Sequence, residues 1–262
     1  AGEVCEMEIE LSGSGDQQNA IQGASYLQDI GDWYNKNVTG SMIIQGRMLR
    51  DIRLGSKNNP VMISISSLTL SNCVSLQRLL LSNITTLSGT LNLTACEHLQ
   101  EIYADGTSLA QIVLPSGGGL RVVEYSRFNQ YLSLSNYPLL TDDGIGIDLC
   151  KTVISDFFIV DCALVRPMKI LVDIMNAQME QGDNHALKRI RAVGFEESYN
   201  NSFILDKLVD LTNGTYSGLS SEGLSGEDEL PVLDGTLNIN ASVYGDTVEA
   251  LRAMFTRLTL NI

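Results

Sequence analysis

Apolar-x-apolar triplets recur through the first two thirds of the chain at nearly constant spacing, and this recurrence restricts the fold more than any other feature. The triplets begin at Leu68, Leu79, Leu91, Ile102, Ile112, Val123, Leu132, Ile147 and Phe158. Successive starts keep an almost even step, with one longer interval between Leu132 and Ile147. Two steps together fall within the roughly 20–29 residues of one short solenoid coil. A coil of that size cannot bury its own apolar side, so successive coils must stack on one another.

A second level of the pattern sharpens the first. Cys73-Val-Ser-Leu76-Gln-Arg-Leu79-Leu-Leu81 superposes on Cys96-Glu-His-Leu99-Gln-Glu-Ile102-Tyr-Ala104 when the chain is shifted by one coil, from Cys73 to Cys96. The spacing predicts Leu76 above Leu99, Leu79 above Ile102, and Cys73 above Cys96. The Ser82-Asn83 and Asp105-Gly106 dipeptides that follow are turn formers, able to satisfy peptide groups where the chain bends. This Cys-x-x-Leu-x-x-Leu-x-Leu-x-x-Asn-like spacing resembles the leucine-rich repeat family, which implies a curved solenoid lined by parallel strands. The half-coil step between triplets predicts extended chain on both sides of each coil, unlike the helix-backed members of that family.

The expected fold is therefore α/β. A leucine-rich-repeat-like short-coil solenoid with parallel strands occupies residues 49–162, and an α/β capping unit follows over residues 163–262. A parallel β-helix is the alternative architecture. Residues 1–48 form an N-terminal cap or the end of a preceding domain, since a terminal coil without a cap would expose its apolar side.

After Cys162 the apolar period changes. Pro167 precedes a run to Met179 with Ile170, Leu171, Ile174, Met175 and Met179 on one helical face. Residues 187–195 read as a strand, and Ser202 is an N-cap signal for a helix over residues 203–211. Residues 217–230 read as a loop, 235–240 as a strand, 246–255 as a helix and 258–262 as a last strand. Met168, Met175 and Met179 are core filler in this reading.

Charge narrows the partners. The chain carries 17 basic against 31 acidic residues, a formal charge of −14, and the excess is spread over both halves. No basic stripe exists to follow a phosphate backbone, so nucleic acid is excluded as an expected ligand. No apolar run has the roughly 20 residues that cross a bilayer, so no membrane insertion is expected. The opening Ala-Gly-Glu-Val-Cys-Glu-Met-Glu lacks the basic-then-apolar order of a signal peptide and reads as a segment of a longer or processed chain. The five cysteines, Cys5, Cys73, Cys96, Cys150 and Cys162, have neither disulfide-framework nor zinc spacing and are expected as mostly buried free thiols. Six Asn-x-Ser/Thr triplets start at Asn37, Asn83, Asn92, Asn200, Asn213 and Asn240. They would carry glycans only along a eukaryotic secretory route, and Asn83 has a turn to make.

Catalytic chemistry finds little to stand on. His98 and His185 are expected at the surface, without an orienting acid or a nearby nucleophile. Asp142, Asp143 and Asp148, and the run Glu227-Asp-Glu229, do not match a calcium loop and read as solvated turns. Gly117–Gly119 lacks the Lys-Ser/Thr of a phosphate loop and reads as a turn. No catalytic residue, metal ligand or cofactor is expected; an enzyme on a β-helix would have only Glu101, Glu124 and Asp148 to draw on. The candidate binding residues are instead those on the strand face of the repeats: Arg78, Leu80, Glu101, Tyr103, Arg121 and Glu124, with Asp105 and Val113 beside them. Tyr and Arg are the residue types that anchor interfaces.

A narrower resemblance covers more of the chain. Ala24-Ser-Tyr-Leu-Gln-Asp-Ile-Gly-Asp32, Glu101-Ile-Tyr-Ala-Asp-Gly-Thr-Ser-Leu109, Leu114-Pro-Ser-Gly-Gly-Gly-Leu120 and Val232-Leu-Asp-Gly-Thr-Leu-Asn-Ile239 are similar to repeat-bearing segments of large virion proteins in tailed phages of gut bacteria. That resemblance implies a non-enzymatic structural module of a phage tail, located in the virion. Its partners would be other virion subunits or a host surface component. The alternative is a secreted or cell-surface bacterial recognition protein of the same repeat class, binding a protein or glycan.

Overall fold

A computed structural model describes residues 18–22, 29–31, 33–116, 118–147, 153–180, 187–212, 231–243 and 245–262. The chain is α/β, with mostly parallel strands and few helices, and it divides into two compact units, Ala1–Pro115 and Ser116–Ile262. The division falls beside Gly117–Gly119, while the change of period near Cys162 lies inside the second unit.

The first unit contains β1 (Gln18–Gln22), β2 (Asp29–Ile30), β3 (Thr39–Gln45), β4 (Asp51–Arg53), β5 (Ser64–Ser71), β6 (Arg78–Leu80), β7 (Ser88–Asn92), β8 (Glu101–Tyr103) and β9 (Ser108–Val113). The chain alternates between ladders. Even-numbered strands pair in the order β2-β4-β6-β8, and odd-numbered strands pair as β1-β3-β5 and β7-β9, every pair parallel. Successive strands therefore alternate between two sets of parallel ladders. In the even ladder Asp29 pairs with Asp51, Asp51 with Arg78 and Arg78 with Glu101, each partner a short stretch further along the chain.

Stacking follows from this register. Ile52, Leu79 and Ile102 are paired across three strands, and none has any exposed surface. Leu49, Leu76 and Leu99 are buried just before them, and Leu54, Leu81 and Ala104 just after. Each buried leucine removes enough apolar surface from water to be worth about 1.5–3 kcal/mol. Cys73 and Cys96 are buried free thiols, and burial pushes the Cys96 thiol up to about 12. The Cys73 thiol lies 3.4 Å from the Ser71 carbonyl and 3.6 Å from that of Ile44. Cys162 is the third described cysteine, also free and buried; Cys5 and Cys150 lie outside the described residues.

The bends have their own ladder. Asn83 adopts a left-handed backbone (φ 64°), which Asn tolerates better than other residues with a Cβ. Its Nδ2 donates to the Ser56 carbonyl at 3.0 Å, and its backbone N–H donates to Asp105 O at 2.8 Å. The Ser82 hydroxyl donates to Asp105 Oδ1 at 2.5 Å. Asn83 thus holds the bend before it and the bend after it.

The second unit contains β10 (Val122–Glu124), β11 (Tyr131–Ser135), β12 (Ile145–Gly146), β13 (Asp156–Val160), β14 (Arg189–Tyr199), β15 (Val232–Ile239) and β16 (Leu258–Asn261). β10 pairs with β12, and the order β11-β13-β14-β15-β16 forms a five-stranded sheet, all parallel. From β13 onward the connections carry helices: α1 (Pro167–Glu180), α2 (Phe203–Thr212) and α3 (Gly245–Met254). These positions agree with the expected helices and strands. The loop expected over residues 217–230 lies outside the described residues, as do His185, Asp148 and the run from Glu227 to Glu229. Among the described residues no helix is long and apolar enough to cross a membrane.

The triplet starting at Ile147 runs into residues outside the described ones; just before it Ile145–Gly146 is a strand, with Ile145 paired with Val123. Local phase differs from the expected one in β13. In β13 the buried apolar residues are Phe157 and Ile159, not Phe158 and Val160. Phe157 and Ile159 pair with Leu132 and Leu134, and a slip of a single position would turn both out of the core. The buried side of α1 is also broader than expected, adding Val172 and Gln178, whose Nε2 donates to Ile154 O at 3.0 Å.

Candidate functional site

Side chains alternate across a strand, so burying Ile52, Leu79 and Ile102 forces their neighbours outward. Parallel pairing then arranges those neighbours in two columns. One runs Asp29, Asp51, Arg78, Glu101, and the other runs Arg53, Leu80, Tyr103. Four of the six residues singled out from sequence, Arg78, Leu80, Glu101 and Tyr103, therefore meet on two adjacent strands.

Their contacts are polar and mutual. Arg78 Nε lies 3.5 Å from Glu101 Oε2, and the Tyr103 hydroxyl donates to the same oxygen at 3.1 Å. Lys57 Nζ sits 4.5 Å from the Tyr103 ring centroid and the Arg78 guanidinium carbon 5.7 Å from it, both within cation–π range. Arg53 Nε is 3.7 Å from Asp51 Oδ2. Burial raises the Asp51 carboxyl above its usual range; Arg53 and Arg78 oppose that rise, while Asp29 and Glu101 add to it. Among the described residues, buried Asp51 Oδ1 has no hydrogen-bond partner. The exposed ion pairs contribute little to stability, on the order of 0–1 kcal/mol. They surround Tyr103, which with Leu80 lies on a half-buried face.

Arg121 and Glu124 belong to the second unit. Arg121 is exposed and just precedes β10. Glu124 is half-buried and paired with Gly146, where an added Cβ would meet Glu124 Cγ at 2.8 Å. Asp105 serves the bend ladder, and Val113 pairs with Asn92 in the other ladder. His98 is exposed.

Two groups escaped sequence reasoning. The first is Asp51, Arg53 and Lys57, although Ile52-Arg-Leu54 is itself an apolar-x-apolar triplet one coil before Leu79 and would have located it. The second is a polar cluster at the start of α1, drawn from three separate segments. Asp142 accepts the Arg166 backbone N–H at 2.7 Å and its Nε at 2.5 Å. Glu197, 2% exposed, accepts the Met168 N–H at 2.8 Å and the Tyr199 hydroxyl. Burial raises both the Glu197 and Tyr199 groups. No local motif announces this cluster, because only tertiary packing brings β14 to the helix start.

Among the described residues no group of three or more His, Cys, Asp and Glu side chains is placed to hold a metal ion. Compared with models of known protein families, with curated proteins and with solved structures, the chain matches none.

Proposed function

We propose that this chain is a non-catalytic interaction module whose parallel ladders are the coils of a leucine-rich-repeat-like solenoid, and that it binds a protein through the outward face of β4, β6 and β8. The observation that carries this reading is the in-register pairing of Arg78 with Glu101 and of Leu80 with Tyr103. It sets Leu80 beside the Tyr103 ring and Arg78 beside Glu101 at strand spacing, about 4.8 Å apart, with Arg78 and Lys57 also within cation–π range of that ring. Fixed aromatic and arginine side chains lose little freedom on binding and dominate interface energetics. The resemblance of the repeat texture to large phage virion proteins supports a place in a phage tail, with another virion subunit or a host surface protein as partner.

The test is photo-crosslinking in the intact parent particle, with a photoreactive amino acid at position 80, at position 103, or at the exposed control position His98. Positions 80 and 103 should capture the same single protein, with Tyr103→Ala lowering capture at position 80 at least several-fold. Equal capture from position 98, or none from positions 80 and 103, would overturn the assignment.

A further inference from the structure

The even ladder of the first unit carries an outward column of charges, and the sign of that column changes at every step but one. Arg78 stands opposite Glu101, with Arg78 Nε 3.5 Å from Glu101 Oε2, and Asp51 stands opposite Arg78. Both of those steps set a cation beside an anion. The first step sets Asp29 opposite Asp51. Directly opposed side chains in a sheet lie about 5 Å apart, and like charges there work against the pairing.

The pairing of β2 with β4 is therefore a balance of two opposed contributions. Ile30 and Ile52 form one pair, both buried, and favour docking. The other pair brings two carboxyls together. Asp29 is exposed, and Asp51 is half-buried between β2 on one side and β6 on the other. Lifting β2 away rehydrates the Asp51 carboxyl and removes Asp29 from it. Burial is the largest influence on that carboxyl and lifts it above its ordinary value of 3.8. Arg53 on its own strand and Arg78 on β6 pull it back, while Asp29 on β2 and Glu101 on β8 push it further up. Arg53 also lies against the chain just past β2, where a Cβ added at Gly31 would meet its Nη2 at 2.8 Å. The folded chain thus holds a proton on Asp51 more tightly than the unfolded chain does. Stability linked to that proton is full below pH 3.8 and is lost as the pH rises through the folded value.

We propose that the opposed Asp29 and Asp51 make the docking of β2 on β4 a pH-set latch, closed while one of the two carboxyls carries a proton and loosened when both are charged. The step from β6 to β8 carries no such opposition, so its pairing does not loosen as the pH rises. The latch depends on the register of the ladder and not on what binds the face of β4, β6 and β8.

Hydrogen exchange of the intact chain tests this, expressed as protection factors so that the intrinsic pH dependence of exchange cancels. Protection over residues 29–31 should fall several-fold as the pH rises through the folded value of Asp51 to neutrality, while protection over residues 78–80 holds. At neutral pH Asp29→Asn and Asp51→Asn should each raise protection over residues 29–31 several-fold and flatten its pH dependence. Asp29→Lys restores the change of sign at the first step and should raise protection further. Added salt should raise it in the parent chain and leave Asp29→Asn unchanged, because screening acts on the repulsion alone. Asp29 is exposed, so its two variants keep the test alive should Asp51→Asn misfold. Equal protection in the parent and Asp29→Asn at neutral pH, lower protection in Asp29→Lys, or the same pH slope over residues 29–31 as over residues 78–80 would each overturn the proposal.

Discussion

The first compact unit and the part of the second from β13 onward both build parallel strands in chain order but return the chain by different means. In the first unit the return is itself a strand, so paired residues such as Arg78 and Glu101 lie only a short stretch of chain apart. In the second the return from β13 to β14 carries α1, and Asp156 pairs with Arg189 across a longer stretch of chain. Strand returns give a second in-register surface, on which outward side chains repeat at strand spacing. Helical returns give up that surface, and other segments must instead supply acceptors for the helix start, as Asp142 and Glu197 do. The nature of the return segment thus decides which residues are free to face a partner and which are spent holding the fold.

The largest expected effect tests the strand-return side. Leu79→Ala opens a cavity between Ile52 and Ile102, in a column with no exposed surface, and should cost about 2–5 kcal/mol by urea unfolding. Hydrogen exchange should loosen first in β4 and β8, the strands that pair with β6. Loosening confined to β6 would show that the stacked column does not act as one packed unit.

A middle-sized effect tests the helix-return side. Glu197→Ala leaves the Met168 N–H without its acceptor and should destabilise the second unit by about 1–3 kcal/mol, while Glu197→Gln should cost less. Burial is the largest influence on this carboxyl and holds it above its ordinary value of 4.5, against the pull of the Tyr199 hydroxyl and the backbone N–H groups. The folded chain therefore binds that proton more tightly than the unfolded chain does. The proton-linked stability from this site is fully present below pH 4.5 and is lost as the pH rises through the folded value. Thermal melts across that window should show the slope in the parent chain and not in Glu197→Gln; parallel slopes would remove Glu197 as its source.

The smallest effect concerns the bends. Asn83→Ala removes the hydrogen bond to Ser56 O and places a less tolerant residue at positive φ, for a loss of about 1 kcal/mol in urea unfolding. Asn83→Gly should recover the backbone part of that loss. If Gly is no better than Ala, the side-chain bond alone sets the residue.

Much of this was written in the repeat. The one-coil superposition put Leu79 with Ile102 and Leu76 with Leu99, and local signals such as Pro167 and the apolar face after it placed the start of α1. The errors came where pairing overrides local pattern. Phe158-Ile-Val160 and Phe157-Phe-Ile159 are equally good triplets, and only the partner strand, with Leu132 and Leu134, selects the second. Four of the six candidate site residues fell on one face because alternation is a local rule. Lys57 joined them only because a bend carries it over Tyr103.

By itself, then, the sequence determined the recurrence of short strands, their alternating inward and outward residues, and the switch from strand to helix after Cys162, because these follow from period and turn chemistry along the chain. Only the tertiary structure decided where the compact units divide, which phase β13 adopts, and that Asp142, Arg166, Glu197 and Tyr199 converge at the start of α1. Those outcomes depend on which residues from distant segments are forced to share a buried space, and no local pattern records that.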